Sequence, residues 1–553
     1  MEIPARWDLE VDVAVLGSGG AALTAAVVAA DRGAAVVVLE KGDLVGGTTA
    51  TSGGIIWVPN NPHQQEHGVQ DSREDALAYL GSLSLGVMDA SLAAAFVDKG
   101  PEMVRYLEEH TPVKFHLAEG YPDYHPENPG GRAEGGRSLD PDLFSFDELG
   151  PWAERVNRLA TDLHPQAPVV PVTLLESMTT GIPDSAVIDE RRRLNLRGLG
   201  QALIGGLLKA CLDREVPIMT GSPAIELVRS GDAVIGIRAQ REGRDYFVKT
   251  RKGVILATGG FEWNRDLVTA FLRGPLEGPA SPPENEGDGL LMAMEAGAAL
   301  GNMSEAWWMP TIPIPGETVR GKPLNRICLS ERTLPGSILV NARGRRFVNE
   351  AANYNDIGRA FHTFDPLTFA FANTPAWLIF DDAFFKKYPV AGYLPGSPTP
   401  EGLIHTGKTL RALAEDIGVE PAQLEATVAR FNQHAVKGED PDFERGVSAY
   451  DCYNGDRTLP RPFATLGTIE KTPFRAMRLV SGALGTKGGP KTNTSAQVLN
   501  ARGRPIPGLY AAGNAMAGST GMVYGGAGGT LGPGLTFGYI AGLSAAAEPA
   551  REG

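Results

Sequence analysis

Along the first forty residues the apolar positions fall in blocks. Val11–Leu16 is a short, β-branched apolar run broken only by Asp12, and it predicts a buried parallel strand. The small apolar residues of AALTAAVVAADRG, 21–33, predict a helix that stops at Gly33. AAVVVLE, 34–40, predicts a second strand ending on Glu40. Further on, residues 224–260 read as a strand meander that closes on the buried strand and Ala-Thr-Gly-Gly turn of GVILATGGFEWN. GSILVNARGRRFVNE, 336–350, reads as a hairpin around Ala342-Arg343-Gly344. TLRALAEDIGVEPAQLEATVARFNQHAV reads as two helices split between Gly418 and Pro421. PGLYAAGNAMAG, 507–518, is a strand and glycine turn near the C-terminus, and the Pro- and Gly-rich stretches 120–140 and 273–289 read as loops at a pocket rim. No internal repeat is visible.

The first strand and helix are joined by Gly17, Gly19 and Ala22, a G-x-G-x-x-A pattern that also takes in Gly20 and Ala21. Gly17 permits a tight turn, Gly19 lets backbone approach a pyrophosphate, and Ala22 lets helix and strand pack closely. The helix N-terminus then offers N–H groups and a positive dipole end to the phosphates. Glu40 follows Gly17 by 23 positions, near the roughly 20 expected of a ribose-binding acid. Strand, glycines, helix, strand and acid in this order predict a dinucleotide site.

The run that continues from Glu40, EKGDLVGGTTATSGG, resembles the flavin-binding continuation of the fumarate reductase and succinate dehydrogenase flavoprotein superfamily. GVILATGGFEWN and PGLYAAGNAMAG match the same superfamily. The resemblance implies FAD, held by Glu40, Lys41, Gly46, Gly47, Thr48, Thr49, Ser52, Gly53 and Gly54 after the first turn. It adds Ala224, Ala257, Thr258, Gly259, Gly260 and Asp288 from the middle, and Gly513, Asn514, Gly529 and Leu531 near the end. The implied fold class is α/β: a Rossmann-like FAD-binding domain built from both chain ends, 1–305 and 481–553, with an inserted α+β catalytic domain, 306–480. Covalent flavin in this superfamily needs a histidine after the second strand. Thr48-Thr49-Ala50-Thr51 offers none, so the flavin is expected to be non-covalent. Dicarboxylate-binding members carry a histidine just before a Gly-Gly pair. Here LGTKGGP has Thr486 and Lys487, which argues against fumarate or succinate. Lys487 reads equally as a flavin neighbour or a solvated side chain.

In detail the chain looks like the 3-oxosteroid 1-dehydrogenases over nearly its whole length. The matching stretches include EGYPDYHPENPGG (119–131), RGRRFVNEAANYNDIGRAF (343–361), GALGTKGG (482–489) and TGMVYGGAGGTLGPG (520–534). The family's active site of three tyrosines and one glycine N–H maps onto Tyr124, Tyr354, Tyr524 and Gly528. The resemblance implies desaturation of a cyclic ketone. Tyr524 O–H and Gly528 N–H would polarise the carbonyl. Tyr354 would take the α proton, although tyrosine ordinarily titrates near pH 10, and Tyr124 would support its anion. The β hydrogen would pass as hydride to flavin N5, which must stand about 3–3.5 Å away. The N-terminus of the next helix, GPGLTFGYIAG, would favour charge on the reduced flavin. The family has proline where this chain has Gly525, which predicts a looser loop. Relatives of the steroid enzymes act on single-ring ketones such as cyclohexanones, and that substrate is the alternative. Reduction of an activated alkene is a further one, and an electron-carrier flavoprotein would have no need of the tyrosine set. Trp307-Trp308 lines the pocket or packs in the core.

The remaining features narrow the partners. A net charge of −14 argues against nucleic acid. Three scattered cysteines, Cys211, Cys328 and Cys452, form no metal or disulfide framework and fit a reducing cytoplasm. None of the nine histidines lies in a motif, and ERRRLN, 190–195, reads as a solvated charge run. The N-terminus does not read as a signal peptide. No apolar stretch reaches the roughly 18 residues of a spanning helix, while a peripheral membrane contact stays open. No second G-x-G-x-x-G appears, so the expected electron acceptor is external: a quinone, a dye or oxygen.

Overall fold

The computed structural model describes residues 3–158, 171–180 and 183–551, and every candidate site residue lies among them. Strand β1 (Leu9–Leu16) turns at Gly17 into helix α1 (Gly20–Asp31), which ends before Gly33 and leads to β2 (Val36–Leu39). β1 and β2 pair in parallel. β2 is buried on both faces, and so is β1 from Val11 on, which is why the sequence shows continuous apolar runs there. Helix α2 (Leu199–Asp213) packs on α1 and feeds β3 (Ile218–Met219), the parallel neighbour of β2. β4 (Ala224–Ser230), β5 (Ala233–Arg241) and β6 (Arg244–Leu256) form the predicted antiparallel meander. β6 also pairs in parallel with β1.

A second sheet stands beside the first. It contains β7 (Ala306–Val319), β8 (Lys322–Ile327), β9 (Ser337–Asn341), β10 (Ala376–Phe380) and β11 (Phe474–Thr486), in the order β8-β7-β11-β10-β9 with every pair antiparallel. Helix α3 (Tyr354–Ala360) lies between β9 and β10 in the chain. Side chains alternate across the sheet. Ile338, Val340, Trp377 and Ile379 meet the buried residues of α4 (Leu410–Ile417) and α5 (Pro421–Ala435). Leu339, Leu378 and Phe380 face the other way, onto Ile357 and Phe361. Helices α4 and α5 break as the sequence predicts, at Gly418 (φ 69°) and at Pro421, the first residue of α5.

The chain then returns to the first sheet. β12 (Gln497–Leu499) and β13 (Pro505–Ala511) add to its edge, with β13 parallel to β6, giving β12-β13-β6-β1-β2-β3. Helix α6 (Leu531–Ala547) lies along α1. The two helices touch through small residues: a Cβ on Gly538 would collide with the Ala21 carbonyl oxygen, and one on Gly542 would stand 2.6 Å from that of Ala25. Strands and helices from both ends of the chain therefore build one mixed sheet layer, parallel at its centre and antiparallel at its margins.

Two local expectations are corrected. Residues 120–140 are not loop throughout, because Gly135–Pro141 is a fully buried strand between Ile56–Trp57 and Phe115–Glu119. Its polar composition is tolerated because Arg137, 0% exposed, is bound by Asp71 and Asp123 at 2.6 and 2.8 Å. The hairpin at 336–350 keeps its turn, with the Gly344 N–H on the Asn341 carbonyl at 2.8 Å, but has no second strand. Arg346 leaves the turn to pair with Glu350 and Asp440 at 2.6 and 2.8 Å, and β9 takes β10 as its partner instead. The charge run at 190–193 sits on the helix Ser185–Arg193 and is laced by i,i+3 ion pairs, while Arg191 reaches Glu176. Among the described residues no helix is long and apolar enough to cross a membrane.

Candidate active site

A cavity of about 930 Å³ runs from the Gly17 turn to the Tyr354 phenol. All the candidate site residues line it except Ala22, Gly46, Gly260 and Gly529. At one end Gly17 (φ 103°) makes the turn, and a Cβ there would collide with the Ala257 carbonyl oxygen. Gly19 faces open space: a Cβ there would meet nothing closer than Thr49 Oγ1, at 3.7 Å. The Gly20 N–H, at the start of α1, donates to Thr49 Oγ1 at 3.0 Å. The Glu40 carboxylate accepts from Ser18 Oγ (2.5 Å) and the Gly42 N–H (2.8 Å), and burial pushes its pKa up. Lys41 pairs with Glu286 and Asp288 at 2.6 and 3.1 Å.

The four exceptions shape the walls from behind. Ala22 is buried in the face of α1. The Gly46 N–H donates to Ser18 Oγ at 3.0 Å, so this glycine fixes the residue that holds Glu40. A Cβ on Gly260 would collide with Thr486 Oγ1, and one on Gly529 would stand 2.8 Å from the Tyr524 ring. Sequence reasoning missed Ser18 and Asn285, whose Nδ2 donates to Thr48 Oγ1 at 2.9 Å. Ser18 lies inside the first glycine motif and was within reach; Asn285, hundreds of residues from its partner, carried no local signal.

At the other end the phenols form a chain. Tyr354 is the first residue of α3, placed there by its N-cap Asn353, which accepts from the Asp356 N–H at 3.1 Å. Tyr124 O–H donates to Tyr354 at 2.9 Å, Tyr354 O–H donates to Tyr524 at 2.6 Å, and Thr530 Oγ1 donates to Tyr524 at 3.2 Å. The rings meet at 5.1–5.5 Å between centroids, the Tyr354 ring edge-on to the other two. Burial pushes the Tyr354 phenol well above its ordinary value of 10, and the neighbouring Tyr524 adds to this while the hydrogen bond from Tyr124 opposes it. Burial likewise raises Tyr124 and Tyr524. All three are neutral phenols at pH 7.

The glycine-rich loop around Tyr524 has specific steric reasons. At Gly528 (φ 94°) a Cβ would stand 2.5 Å from the Ile56 carbonyl carbon and 2.6 Å from the Ile55 oxygen. The Gly528 carbonyl accepts from the N–H groups of Trp57 and Gly532, and its own N–H has no acceptor among the described residues. Gly525 corrects the expectation of a loose loop. A Cβ there would stand 3.0 Å from the Trp57 ring, and its carbonyl accepts from the Tyr124 N–H (2.9 Å) and Tyr79 O–H (2.6 Å).

Lys487 is not solvated. It is 1% exposed, its Nζ donates to the carbonyls of Met522 (2.8 Å) and Val523 (3.0 Å), and it lies 4.0 Å from the Trp307 ring centroid. Burial holds its pKa well below the usual lysine value. The tryptophan pair divides as neighbours on a strand must. Trp307 packs edge-on against Tyr524 at 4.8 Å and donates to Asn514, while Trp308 is core, packed on His362.

A glycine-lined dinucleotide cradle that runs without a wall into a hydrogen-bonded phenol cluster defines a flavin-dependent oxidoreductase, and the residues present fit FAD. The family model for the FAD binding domain matches residues 12–531, and the chain belongs to that family. It is 41% identical to a 4-oxocyclohexanecarboxylate 2-dehydrogenase of Sinomonas cyclohexanicum, over 98% of this chain and 93% of that protein. It is 38% identical to a 3-oxosteroid 1-dehydrogenase of Mycolicibacterium smegmatis, over 98% of each. Its fold is similar to the crystal structure of 3-ketosteroid delta1-dehydrogenase from Sterolibacterium denitrificans in complex with 1,4-androstadiene-3,17-dione. That likeness has a TM-score of 0.90 and 37% identity, over 97% of this chain and 99% of that one.

Proposed function

We propose that the protein desaturates a cyclic ketone next to its carbonyl, with Tyr354 as base, Tyr124 as its support, and Tyr524 and Gly528 as the carbonyl-binding pair. The observation that carries this reading is the unbroken Tyr124–Tyr354–Tyr524 hydrogen-bond chain on the same cavity wall as the Gly528 N–H, which has no acceptor among the described residues. FAD, when bound in the cradle, supplies the acceptor for the β hydride. It is held there by hydrogen bonds, without a covalent link.

The chain's own residues move the proton. The Tyr524 oxygen already accepts from Tyr354 and Thr530, which leaves its own proton for the substrate carbonyl. Two donors aimed at one oxygen gain strength as negative charge develops on it. Because Tyr354 starts neutral, it gives its proton to Tyr524 as it takes the α proton, and Tyr524 passes its own to the carbonyl oxygen. The phenols finish neutral and the substrate is an enol. Loss of the β hydride then makes that enol proton acidic, and it is released to solvent as the enone forms.

The wall around the phenols includes Ile55, Tyr121, Met309, Leu329 and Leu484, a surface for a hydrocarbon ring skeleton. This supports a 3-oxosteroid as the leading substrate. The 41% identity to a single-ring ketone dehydrogenase supports the alternative, a cyclohexanone. Reduction of an enone or fumarate-type alkene uses the same groups in reverse. Electrons leave to an external quinone, dye or oxygen. Residues 1–305 and 481–553 form the FAD-binding part in this reading and 306–480 the catalytic part, with β11 crossing the second boundary. The free cysteines support a cytoplasmic setting.

The test is anaerobic flavin absorbance on mixing with a 3-ketosteroid and, separately, a plain cyclohexanone. Bleaching by the first identifies a steroid dehydrogenase, and bleaching only by the second moves the substrate to single rings. Tyr354→Phe is expected to keep FAD and lose about 10²–10⁴-fold in turnover. Undiminished turnover in that variant removes Tyr354 as the base.

A further inference from the structure

The three phenols belong to segments more than a hundred residues apart, yet their oxygens meet within hydrogen-bonding distance. The short helix α3 explains how. It starts with Tyr354 and carries two charged side chains that reach outward, one to each of the other tyrosine segments. Asp356 Oδ2 lies 2.8 Å from the His125 ring Nε2, and His125 is the residue after Tyr124. Asn353 Nδ2 donates to the same carboxylate at 2.8 Å. On the other side Arg359 Nη2 donates to the Met522 carbonyl at 2.6 Å, two residues before Tyr524, and pairs with Glu305 at 3.0 Å. The Met522 carbonyl is gripped a second time by Lys487 Nζ. The Lys487 N–H donates to the Glu305 carbonyl at 2.9 Å, which closes the assembly onto β7 and β11.

We propose that Asp356 and Arg359 are positioning residues for the reaction, and that α3 acts as a hub whose two polar tethers set where Tyr124 and Tyr524 meet the Tyr354 phenol. The proposal rests on the proposed function above. Neither Asp356, Arg359 nor His125 lines the cavity, so none of them touches the substrate. What they fix is spacing. A proton transfer from Tyr354 to Tyr524 across 2.6 Å, with Tyr124 holding the Tyr354 oxygen at 2.9 Å, is disturbed once either gap opens by a fraction of a bond length. A misplacement of about 1 Å far from the reacting atoms is enough for a loss on the order of 10²-fold. The two tethers also differ in kind. The Asp356–His125 contact is half-exposed, whereas the Arg359 fork is held between a carbonyl and a carboxylate inside the protein.

The experiment uses FAD-loaded enzyme carrying Arg359→Ala, Arg359→Lys, Asp356→Asn or His125→Asn. Fluorine NMR of protein labelled with 3-fluorotyrosine reads the phenols without turnover. Rates are taken per bound FAD with α-deuterated and β-deuterated ketone. For Arg359→Ala the expected result is a fall in kcat of about a hundredfold with KM little changed. The α-deuterium effect should grow while the β effect stays the same. The Tyr354 and Tyr524 fluorine lines should shift, and Arg359→Lys should restore part of each change. Asp356→Asn and His125→Asn should shift the Tyr124 line instead. If Arg359→Ala does not fold, the two variants of the exposed tether carry the test. Unchanged kcat per FAD together with unmoved fluorine lines in the folded variants overturns the proposal. A wild type that turns over no cyclic ketone, with fluorine lines that still shift in the variants, sinks the function and leaves the hub.

Discussion

Gly528→Ala is the sharpest test of the proposed carbonyl-binding pair. The new Cβ would enter 2.5 Å from the Ile56 carbonyl carbon and 2.6 Å from both the Ile55 oxygen and Ile56 Cα. These are backbone atoms of the segment entering the strand Ile56–Trp57, so no side chain can rotate aside. Alanine at φ 94° adds strain of about 1–3 kcal/mol, and forced overpacking adds about 1–3 kcal/mol more. The Gly528 carbonyl is held by two hydrogen bonds, from Trp57 and Gly532, together worth about 1–3 kcal/mol. The strain therefore matches or exceeds what holds the peptide, and the loop yields first. Relief to an ordinary contact of 3.4 Å displaces the Gly528 peptide by about 1 Å, which takes the N–H off its target at a loss of about 10²-fold. Loss of a carbonyl-binding donor falls in the same range, about 10²–10³-fold. The assay is anaerobic stopped-flow bleaching of the bound flavin at saturating ketone. The expected result is a first-order constant reduced by that factor, with FAD content and half-saturation close to wild type. A variant that bleaches at the wild-type rate with a full complement of FAD would refute the assignment of the Gly528 N–H.

Other outcomes follow from the same geometry. Arg137→Met leaves Asp123 buried without a cation and Asp71 with Arg132 alone, at 3.3 Å, and should lower stability by about 3–5 kcal/mol; a thermal midpoint like that of wild type would contradict it. Asp123 also accepts from Trp57 Nε1 at 2.8 Å, so Arg137→Met should disturb the Tyr524 loop that packs on Trp57, seen as weaker ketone binding. Burial depresses His362 from 6.5 to about 4. The unfolded chain then binds the extra proton first, so stability is full above pH 6.5 and falls as the pH drops toward 4, by about 3 kcal/mol. His362→Gln should flatten that part of a denaturant-midpoint profile against pH. Gly538→Val should force α6 off α1 and yield protein that retains little FAD, measured by the ratio of flavin to protein absorbance.

The parts of this molecule that announce themselves in the sequence are those made by local chemistry. Gly17, Gly19, α1 and Glu40 lie within one short stretch, and each has a conformational or packing reason readable from residue type alone. The same holds for Gly418 and Pro421 between α4 and α5. The tyrosines were legible because each sits in a short motif that resembles a known family. What stayed hidden depends on partners far along the chain. Gly135–Pro141 looks like a loop until Asp71 and Asp123 are seen to neutralise Arg137, after which a polar strand can be buried. Lys487 could not be assigned because its acceptors, the carbonyls of Met522 and Val523, are backbone and leave no mark on composition. His125 and Asp356 are separated by 231 positions, and neither lies in a pattern that points to the other. Gly525 was misjudged because the stiffness of its loop comes from the Trp57 ring and two hydrogen bonds rather than from its own dihedral freedom.

The position of β13 and α6 has a consequence for biosynthesis. The first sheet begins with β1, yet the Val254–Leu256 end of β6 has β1 on one side only, and α1 lacks its small-residue contact, until β13 and α6 arrive. Gly513, Asn514 and Leu531, which line the cradle, come with that same late segment. While the ribosome is still translating, the emerging chain can form the β1–α1–β2 unit and the second sheet. It cannot close the cofactor site. Capture of the flavin is thus tied to the arrival of residues 505–547, and a polypeptide stalled or cleaved before residue 505 would show an unpaired edge at the end of β6 to the quality-control machinery instead of a yellow, protected fold.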